Sequence, residues 1–352
     1  MQHAISLVRK SVTTDSHTTS YLQAGPPGGP LLVFVHGWPG LGVTWRHQMA
    51  HFAARGFRVV APDLRGYGHS TIYADPSAYR QELIVGDMLA LQDHLGGESA
   101  IWAGHDWGSP TVWNIASHHP HRCAAVATLA IPFGTLERGL DALLQAVDRE
   151  RYPEETYPHG QFDYMVFYER CPDQSTAVFD AAPASSVNAL FRRGDPAVHT
   201  RPAPTAMITA NGGWFGGADS APDLPLDTAV LTPGDQAELT VSLARNGFHG
   251  PTGYYLNHRA NAGYAGQALH GGTLDLPVLF IGAAYDPVAD LTSRSALLAM
   301  RQSCTDLTEA IVPAGHWLHL EAAAQVNEHL ADWLANRVLI GDQARRAPAR
   351  HA

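Results

Sequence analysis

The stretch GHDWGS at residues 104–109 decides the fold of this 352-residue chain. It follows the short apolar run Ala100 to Ala103, which is typical of a buried parallel strand, and it precedes a helical pattern. Small residues on both sides of Asp106 permit a sharp strand-turn-helix elbow, in which the central side chain is exposed above the sheet. The stretch therefore predicts a carboxylate at the carboxyl end of a strand in an α/β sheet.

A carboxylate at such an elbow has a definite chemistry. Aspartate is ionised at pH 7, so it attacks without first losing a proton. Its expected target is a saturated carbon that bears a leaving group, and the product of the attack is an alkyl ester. The alternative is that Asp106 only caps the following helix, because Asp is common at helix N-caps. On the stretch alone, both interpretations stay open.

Strands and helices alternate before the elbow, which favours a parallel α/β core. An N-terminal hairpin is expected first, followed by short apolar strands and two helical stretches. The predicted strands are Leu31 to Val35, Arg58 to Ala61 and Ala100 to Ala103, and the predicted helices are Thr44 to Arg55 and Tyr79 to Leu95.

A long insertion is expected in the second half of the core. The next predicted strands are Ala124 to Ile131 and Val278 to Ile281, and the roughly 140 residues between them are too many for a loop. We therefore predict a core of residues 1–131 and 273–340, a mainly helical cap or lid of residues 132–272, and a disordered tail of residues 341–352. The core resumes with Val278 to Ile281, Ala310 to Val312 and an amphipathic helix from Ala322 to Val338.

Hydrolysis of an ester on Asp106 requires a general base. His316 comes just after the last predicted strand, and Asp286, which follows the strand Val278 to Ile281, is expected to orient its imidazole. Asp290 is the less favoured acid, and the loop after Ile131 offers no carboxylate before Glu137. The chain order nucleophile, acid, base is the order that α/β hydrolases use.

The sequence HGWP at residues 36–39 follows a predicted strand. In α/β hydrolases, the loop at this place supplies backbone N–H groups that bind the negatively charged oxygen of the reaction intermediate. The N–H groups of Trp38 and Trp107 are therefore the candidate oxyanion hole. The alternative, that Gly37 and Pro39 only shape a turn, stays open.

Four motifs together resemble the α/β-hydrolase-fold epoxide hydrolases over residues 4–339. They are HGWPG at 36–40, RGYGHS at 65–70, GHDWGS at 104–109 and GHW at 315–317. The resemblance implies a hydrolase acting on ether bonds, which converts an epoxide and water into a vicinal diol through an ester on Asp106. It implies no cofactor and no metal. Members of the family often self-associate through the lid, so a homodimer is one expectation.

An oxirane is a poor electrophile unless its oxygen is protonated or hydrogen-bonded as the ring opens, and a neutral tyrosine can supply that bond. The resemblance assigns this role to Tyr164 and Tyr255 in preference to their neighbours Tyr168 and Tyr254. Two positions depart from the family pattern: Leu256 stands where Arg is common, and Glu169 where Gln is common. The alternative is that these tyrosines only pack the lid.

The pocket around the nucleophile is expected to be apolar, because such walls exclude water from all but the position of attack. The candidate substrate-binding residues are His36, Trp38, Trp107, Phe133, Phe167 and Trp317. Each could instead belong to the core.

Composition excludes several other classes of protein. The formal net charge is −10 and the basic residues form no run, which argues against nucleic acid. Lys10 is the only lysine, which argues against Schiff-base chemistry. No stretch approaches the 18 or so apolar residues of a membrane span. Cys123, Cys171 and Cys304 form no disulfide framework, and a reducing, cytoplasmic location is expected.

Two rival functions and a metal site are the alternatives to this interpretation. His47 and His51 share a helix face, and residues 118–121 are rich in histidine, but neither group supplies a third ligand, so no metal is expected. A haloalkane dehalogenase would use the same Asp106, His316 and Asp286, and GHDWG is shared with that family. A noncatalytic binder on the same fold is the other rival, and the complete triad weighs against it.

Overall fold

The computed structural model describes residues 6–14, 17–289 and 294–339. Its strands form one eight-stranded sheet in the order β1-β2-β4-β3-β5-β6-β7-β8. They are β1 Val8–Thr14, β2 His17–Ala24, β3 Leu31–Val35, β4 Arg58–Pro62, β5 Ala100–His105, β6 Cys123–Leu129, β7 Leu274–Ala283 and β8 Cys304–Val312. The predicted hairpin is β1 with β2, and the predicted fold class, a mostly parallel sheet flanked by helices, is confirmed.

The sheet is antiparallel only at the β1 end. Strand β2 pairs antiparallel with both β1 and β4, and every pair from β4 to β8 is parallel. The central strands β3 and β5 are buried along their whole length, because helices cover both faces of a parallel sheet. The edge strand β1 is mostly exposed and carries Arg9 and Lys10, which discourage pairing with another chain.

The first three helices flank the strands that precede the insertion. They are α1 Arg46–Ala53, α2 Gln81–His94 and α3 Gly108–His118. Helix α1 is shorter than predicted, because a 3-10 turn, Gly42–Trp45, precedes it and Gly56, at a positive φ of 87°, lies in the turn that follows it.

A mainly helical segment connects β6 to β7. Its helices are α4 Leu140–Gln145, α5 Asp163–Arg170, α6 Pro172–Asp180, α7 Pro183–Leu190, the kinked turn α8 Trp214–Gly217, α9 Pro233–Asn246, α10 His249–Gly253 and α11 His258–Ala265. Helix α9 begins at a capping box, in which Thr232 and Asp235 bond to each other's backbone N–H groups. The limits of the cap, residues 132–272, stay a prediction.

The chain returns to the sheet through β7 and β8 and closes with α12 Arg294–Ser303, α13 Leu318–Glu321 and α14 Ala323–Trp333, after which a π-helical turn, Leu334–Leu339, ends the described chain. Asp290 and the predicted tail, residues 341–352, lie outside the described residues. Within the described residues, no helix has the length and apolarity of a membrane span, and His, Cys, Asp and Glu form no metal-binding group. The three cysteines are free thiols.

Candidate active site

Asp106 lies on a strained turn between β5 and α3. Its φ is +50°, a value that non-glycine residues rarely adopt and that the nucleophile elbow requires. Gly108, at the start of α3, packs so closely on the backbone of β3 that a Cβ there would overlap the carbonyl oxygen of Val35. The small residue after the turn therefore lets the helix approach the sheet and raises the Asp106 carboxylate above the end of β5.

The ends of three parallel strands bring Asp106, His316 and Asp286 together. His316 Nε2 lies 3.6 Å from Asp106 Oδ2, and Nδ1 of the same ring lies 2.7 Å from Asp286 Oδ2. The imidazole thus stands between two carboxylates, of which Asp286 is fully buried and accepts further N–H groups from Val288 and Ala289. This is the geometry of a nucleophile, a base and an orienting acid.

The two carboxylates determine the protonation of the imidazole. Burial alone lowers the pKa of His316, but Asp286 and Asp106 outweigh it and raise the pKa to about 10. Burial raises the pKa of Asp286, but the neighbouring His316 and the backbone N–H donors outweigh it and lower the pKa overall. The two neighbouring carboxylates therefore favour the imidazolium form of His316 in the resting site at neutral pH.

The Oδ1 atom of Asp106 contacts the loop that contains the predicted oxyanion donor Trp38. The Trp38 backbone N–H donates to Asp106 Oδ1 over 2.7 Å. Gly37 lies against Asp106, and a Cβ at Gly37 would overlap that side chain. Among the described residues, the Trp107 backbone N–H makes no hydrogen bond to the Asp106 carboxylate. Trp38 is thus the only one of the two predicted donors that already contacts it.

Both predicted tyrosines line the same cavity as Asp106. The ring centroids of Tyr164, on α5, and Tyr255, just after α10, lie 5.7 Å apart, nearly edge to face. Burial, followed by the negative charge of Asp106, raises the pKa of Tyr164 well above its ordinary value near 10. Burial, followed by Tyr164 and Asp106, does the same for the pKa of Tyr255. Both phenols are therefore neutral donors over the whole physiological range.

The neighbouring tyrosines are placed differently. Tyr254 points into the core, where its hydroxyl donates to the backbone oxygen of Arg65 over 3.0 Å. Tyr168 is stacked flat on Tyr255, with 4.2 Å between the ring centroids, but it does not line the cavity. The geometry thus separates Tyr164 and Tyr255 from the two tyrosines that the sequence left as alternatives.

Two cavities meet at the nucleophile. The larger one has a volume of about 330 Å³ and the smaller one about 50 Å³, and both are lined by Asp106, Tyr164 and Val288. The smaller one is otherwise mostly apolar, with residues such as Leu136 and Met165. A molecule that reacts at Asp106 can therefore place one substituent in each cavity.

The predicted pocket residues divide into two groups. Trp38 and Trp317 line the larger cavity, whereas the other four candidates, His36, Trp107, Phe133 and Phe167, line neither cavity. His36 is bound to the backbone, since its Nε2 accepts the N–H of Leu64 over 3.0 Å. Phe133 packs edge-on against Trp113. Trp107 supports the site from behind, because its ring packs edge-on against Tyr255 at 5.2 Å.

Comparison with known proteins identifies the family. The sequence pattern of the alpha/beta hydrolase fold family matches residues 30–323. Epoxide hydrolase A from Mycobacterium tuberculosis is 31% identical over 323 residues, which are 92% of this chain and 96% of that protein. The chain belongs to the epoxide hydrolases of the α/β-hydrolase fold. Bifunctional epoxide hydrolase 2 from Sus scrofa is 27% identical, and there the match spans 51% of the relative.

Solved structures of epoxide hydrolases have the same architecture as this family member. Epoxide hydrolase A from Mycobacterium thermoresistibile superposes with a TM-score of 0.76 at 29% identity, over 94% of this chain and 99% of the other. A mutant epoxide hydrolase from Vigna radiata gives a TM-score of 0.75 at 28% identity, over 94% and 98% of the two chains.

Sequence reasoning did not predict the residues that the insertion contributes to the cavity of this epoxide hydrolase. Residues 189–205 supply several lining residues, among them Arg192 and Arg201, although no local motif marks them. It also missed Glu321, whose Oε2 accepts the N–H of Gly194 over 3.0 Å and that of Gly315 over 2.8 Å. One carboxylate thus fastens the insertion to the loop that carries His316.

The acid of the triad could also have followed β6, where Glu137 is the first carboxylate. Glu137 has a structural role instead. It is 2% exposed and accepts the backbone N–H groups of Gly134 and Thr135. Burial raises its pKa to about 7. Glu137 therefore stabilises the loop after β6. The carboxylate that bonds to the imidazole of His316 is Asp286.

Proposed function

We propose that this chain converts an epoxide and water into a vicinal diol through a covalent ester on Asp106. The observation that carries the proposal is the convergence of four groups on one cavity. A carboxylate, an imidazole and two neutral phenols, those of Tyr164 and Tyr255, border it together. A carboxylate that faces two acidic hydrogen-bond donors suits an epoxide, because the leaving oxygen of an epoxide stays attached to the rest of the substrate.

In the first step, Asp106 Oδ attacks one ring carbon and the carbon–oxygen bond of the ring breaks. Tyr164 and Tyr255 donate hydrogen bonds to the developing alkoxide, and one of them supplies its proton. Because both pKa values are raised by burial and by Asp106, the phenols remain protonated until the oxygen becomes a stronger base than phenolate. The product is an alkyl ester of Asp106 that carries a hydroxyl group on the adjacent carbon.

Formation of the ester prepares the base. Asp106 loses its negative charge on alkylation, and with it disappears one of the two carboxylates that raise the pKa of His316. The pKa of the imidazole falls, and the imidazolium gives its proton to the phenolate that had protonated the alkoxide. The phenol is then neutral again. Neutral His316, still oriented by Asp286, is then available as a general base.

In the second step, His316 takes a proton from water, and the hydroxide adds to the ester carbonyl carbon. The Trp38 N–H, which already bonds to Asp106 Oδ1, stabilises the tetrahedral oxyanion, and the predicted second donor is the N–H of Trp107. The acyl carbon–oxygen bond then breaks, and His316 returns the proton to the leaving diol. Asp106 is released as a carboxylic acid that holds one oxygen atom from water, and its proton passes to His316, which restores the carboxylate and the imidazolium of the resting site.

Haloalkane dehalogenation, the rival that would use the same three residues, is not favoured. A halide leaves as a free anion and requires N–H donors, whereas this cavity presents the two phenols of Tyr164 and Tyr255 to the reacting group. The relatives and solved structures described above are epoxide hydrolases, both in sequence and in fold.

Three expectations complete the proposal. Residues 132–272 form the cap that closes the cavity over the core, the enzyme needs neither metal nor organic cofactor, and it acts on a small molecule rather than on nucleic acid. A homodimer and a cytoplasmic location stay predictions from the sequence. Light scattering and cell fractionation are the measurements that check them.

The origin of the product oxygen tests the ester mechanism. In one turnover in heavy-oxygen water with excess enzyme, we expect unlabelled diol and one labelled oxygen in the peptide that contains Asp106, since water attacks the carbonyl carbon. Mass spectrometry of the diol and of the digested enzyme measures both. Enzyme incubated without epoxide is the control. Label in the diol and none in the peptide would mean direct attack by water on the ring and would rule out the ester.

Removal of the phenol hydroxyls should slow ring opening. We expect Tyr164→Phe and Tyr255→Phe each to lower the rate of ester formation by about 10²-fold, the effect of losing one donor to a developing oxyanion, and the double variant to be almost inactive. Stopped-flow tryptophan fluorescence measures this rate. Tyr168→Phe is the matched control, because its hydroxyl does not line the cavity. Equal losses in all three single variants would contradict the assignment.

A further inference from the structure

The smaller cavity at the nucleophile has an amide in its wall that the proposed mechanism does not use. Among the described residues that line this cavity, the polar side chains are those of Asp106, Thr135, Gln161 and Tyr164. Asp106 and Tyr164 take part in ring opening, and the Thr135 hydroxyl donates to the backbone oxygen of Pro132 over 2.6 Å. The Gln161 amide is thus the polar group of this wall that has no role so far.

The side chain of Gln161 is buried without a hydrogen-bond partner. The residue is 5% exposed, and among the described residues its Oε1 atom accepts no hydrogen bond. Its backbone oxygen is already bound, because it accepts the hydroxyl of Thr205 over 2.8 Å. A buried amide without a partner is unfavourable, so its position beside a reacting group points to a ligand that completes its hydrogen bonds.

The local fold places Gln161 on the side of the chain that carries the catalytic phenol. Gln161 lies in the 3-10 turn Gly160–Phe162, which leads directly into α5. Side chains three residues apart lie on the same face of such a turn, so Gln161 shares a face with Tyr164, which borders the same cavity. The rest of the lining is mostly apolar, with residues such as Leu136, and offers the amide little competition for a ligand.

The ligand of this amide is a part of the substrate rather than the attacking water. Water is activated by His316, which lines the larger cavity but not the smaller one. The volume of about 50 Å³ suits one short substituent, since a single water takes about 30 Å³ of the liquid. An amide both donates and accepts hydrogen bonds, and a hydroxyl group, which also does both, matches it.

We propose that Gln161 binds a hydroxymethyl group on the ring carbon that faces the smaller cavity, and that it thereby determines which substituent of the epoxide lies there. The inference rests on the proposed epoxide hydrolysis. An alkyl group of the same size leaves the amide without a partner, whereas the hydroxyl group forms a hydrogen bond with it. The other substituent of the ring then occupies the larger cavity.

Two epoxides of equal size test the preference. The first carries a propyl group on one ring carbon and a hydroxymethyl group on the other, and its analogue has an ethyl group in place of the hydroxymethyl group. Gln161→Met keeps the length of the side chain and removes the amide. We expect the ratio of kcat/KM for the alcohol to kcat/KM for the analogue to be about fivefold lower in this variant than in the wild type, the effect of one hydrogen bond. Gas chromatography of the diols measures both rates.

A matched variant and a stability measurement separate substrate binding from a structural role. Thr135→Val changes the other polar side chain of this wall, whose hydroxyl is bound within the protein, and should keep the wild-type ratio. Without substrate, the midpoint of thermal unfolding of Gln161→Met should equal or exceed that of the wild type, because an apolar side chain replaces a buried amide that has no partner. Gln161→Leu repeats both measurements with a differently shaped side chain.

The outcomes that overturn the inference differ from those that overturn the function. An unchanged ratio in Gln161→Met, or an equal fall in Thr135→Val, would refute the role of Gln161 and leave epoxide hydrolysis intact. A lower unfolding midpoint in both Gln161 variants, or the failure of both to fold, would make the amide structural and also refute it. Opening of terminal epoxyoctane but of neither test epoxide would refute this inference alone. If the wild type opens none of the three, both proposals fail.

Discussion

Asp106→Ala is expected to abolish diol formation, with a loss of at least about 10⁴-fold in kcat, because among the described residues Asp106 is the one lining carboxylate that lies beside His316. The fold should persist, although alanine adopts the φ of +50° less readily than aspartate, because among the described residues the Asp106 carboxylate accepts a single backbone N–H, that of Trp38. Gas chromatography of the diol and the midpoint of thermal unfolding measure the two effects.

The matched control is a carboxylate in the same cavity. Asp195 lines it but is exposed and paired with Arg201, so Asp195→Ala should keep turnover of an uncharged epoxide such as epoxyoctane. If Asp106→Ala retained activity close to that of the wild type, the proposed nucleophile would be wrong. If it failed to fold, Asp106→Asn, which keeps the shape of the side chain, would be measured in freshly purified form.

His316→Gln is expected to separate the two chemical steps. Asp106 keeps its nucleophilic oxygen and forms the ester, but glutamine cannot accept a proton from water, so hydrolysis of the ester should slow by about 10²–10⁴-fold. The intermediate then accumulates. Intact-protein mass spectrometry should show a protein heavier by the mass of one substrate molecule, and rapid-mixing assays should show the loss of about one epoxide per active site without release of diol.

The double variant Asp106→Ala/His316→Gln is the control for the position of the adduct, and it should gain no mass. An adduct that persists in the double variant would lie on another residue. Multiple turnover at the wild-type rate in His316→Gln, without any adduct, would exclude His316 as the base of the second step.

The fold and the meeting of the candidate catalytic residues in space were predictable for a physical reason. Parallel strands end at the same edge of a sheet, so residues that follow three different strands meet in space, however far apart they are in sequence. Asp106, His316 and Asp286 each follow a strand, and the apolar runs that mark strands are local patterns. The distances of 3.6 Å and 2.7 Å at the imidazole agree with this expectation, whereas the roles of the three residues await the experiments above.

The cavity wall was less predictable, because it depends on how the insertion packs against the core. Trp107 is adjacent to the nucleophile in sequence, but a residue on a sharp turn points away from its neighbour, and its ring packs behind Tyr255. Arg192 is far from any motif and reaches the cavity because Phe191 anchors the chain on Trp317. Such contacts arise from side chains distant in sequence, and no local periodicity encodes them.

The carboxylate of Glu321 ties the insertion mechanically to the loop that carries His316. Because the same oxygen accepts the N–H of Gly194 and that of Gly315, residues 192–195 of the insertion cannot lift from the core without releasing the loop that supports His316. The backbones of the two glycines also touch so closely that neither tolerates a Cβ. Any passage through which substrate enters while the imidazole stays aligned must therefore open elsewhere along the rim, away from this point of attachment.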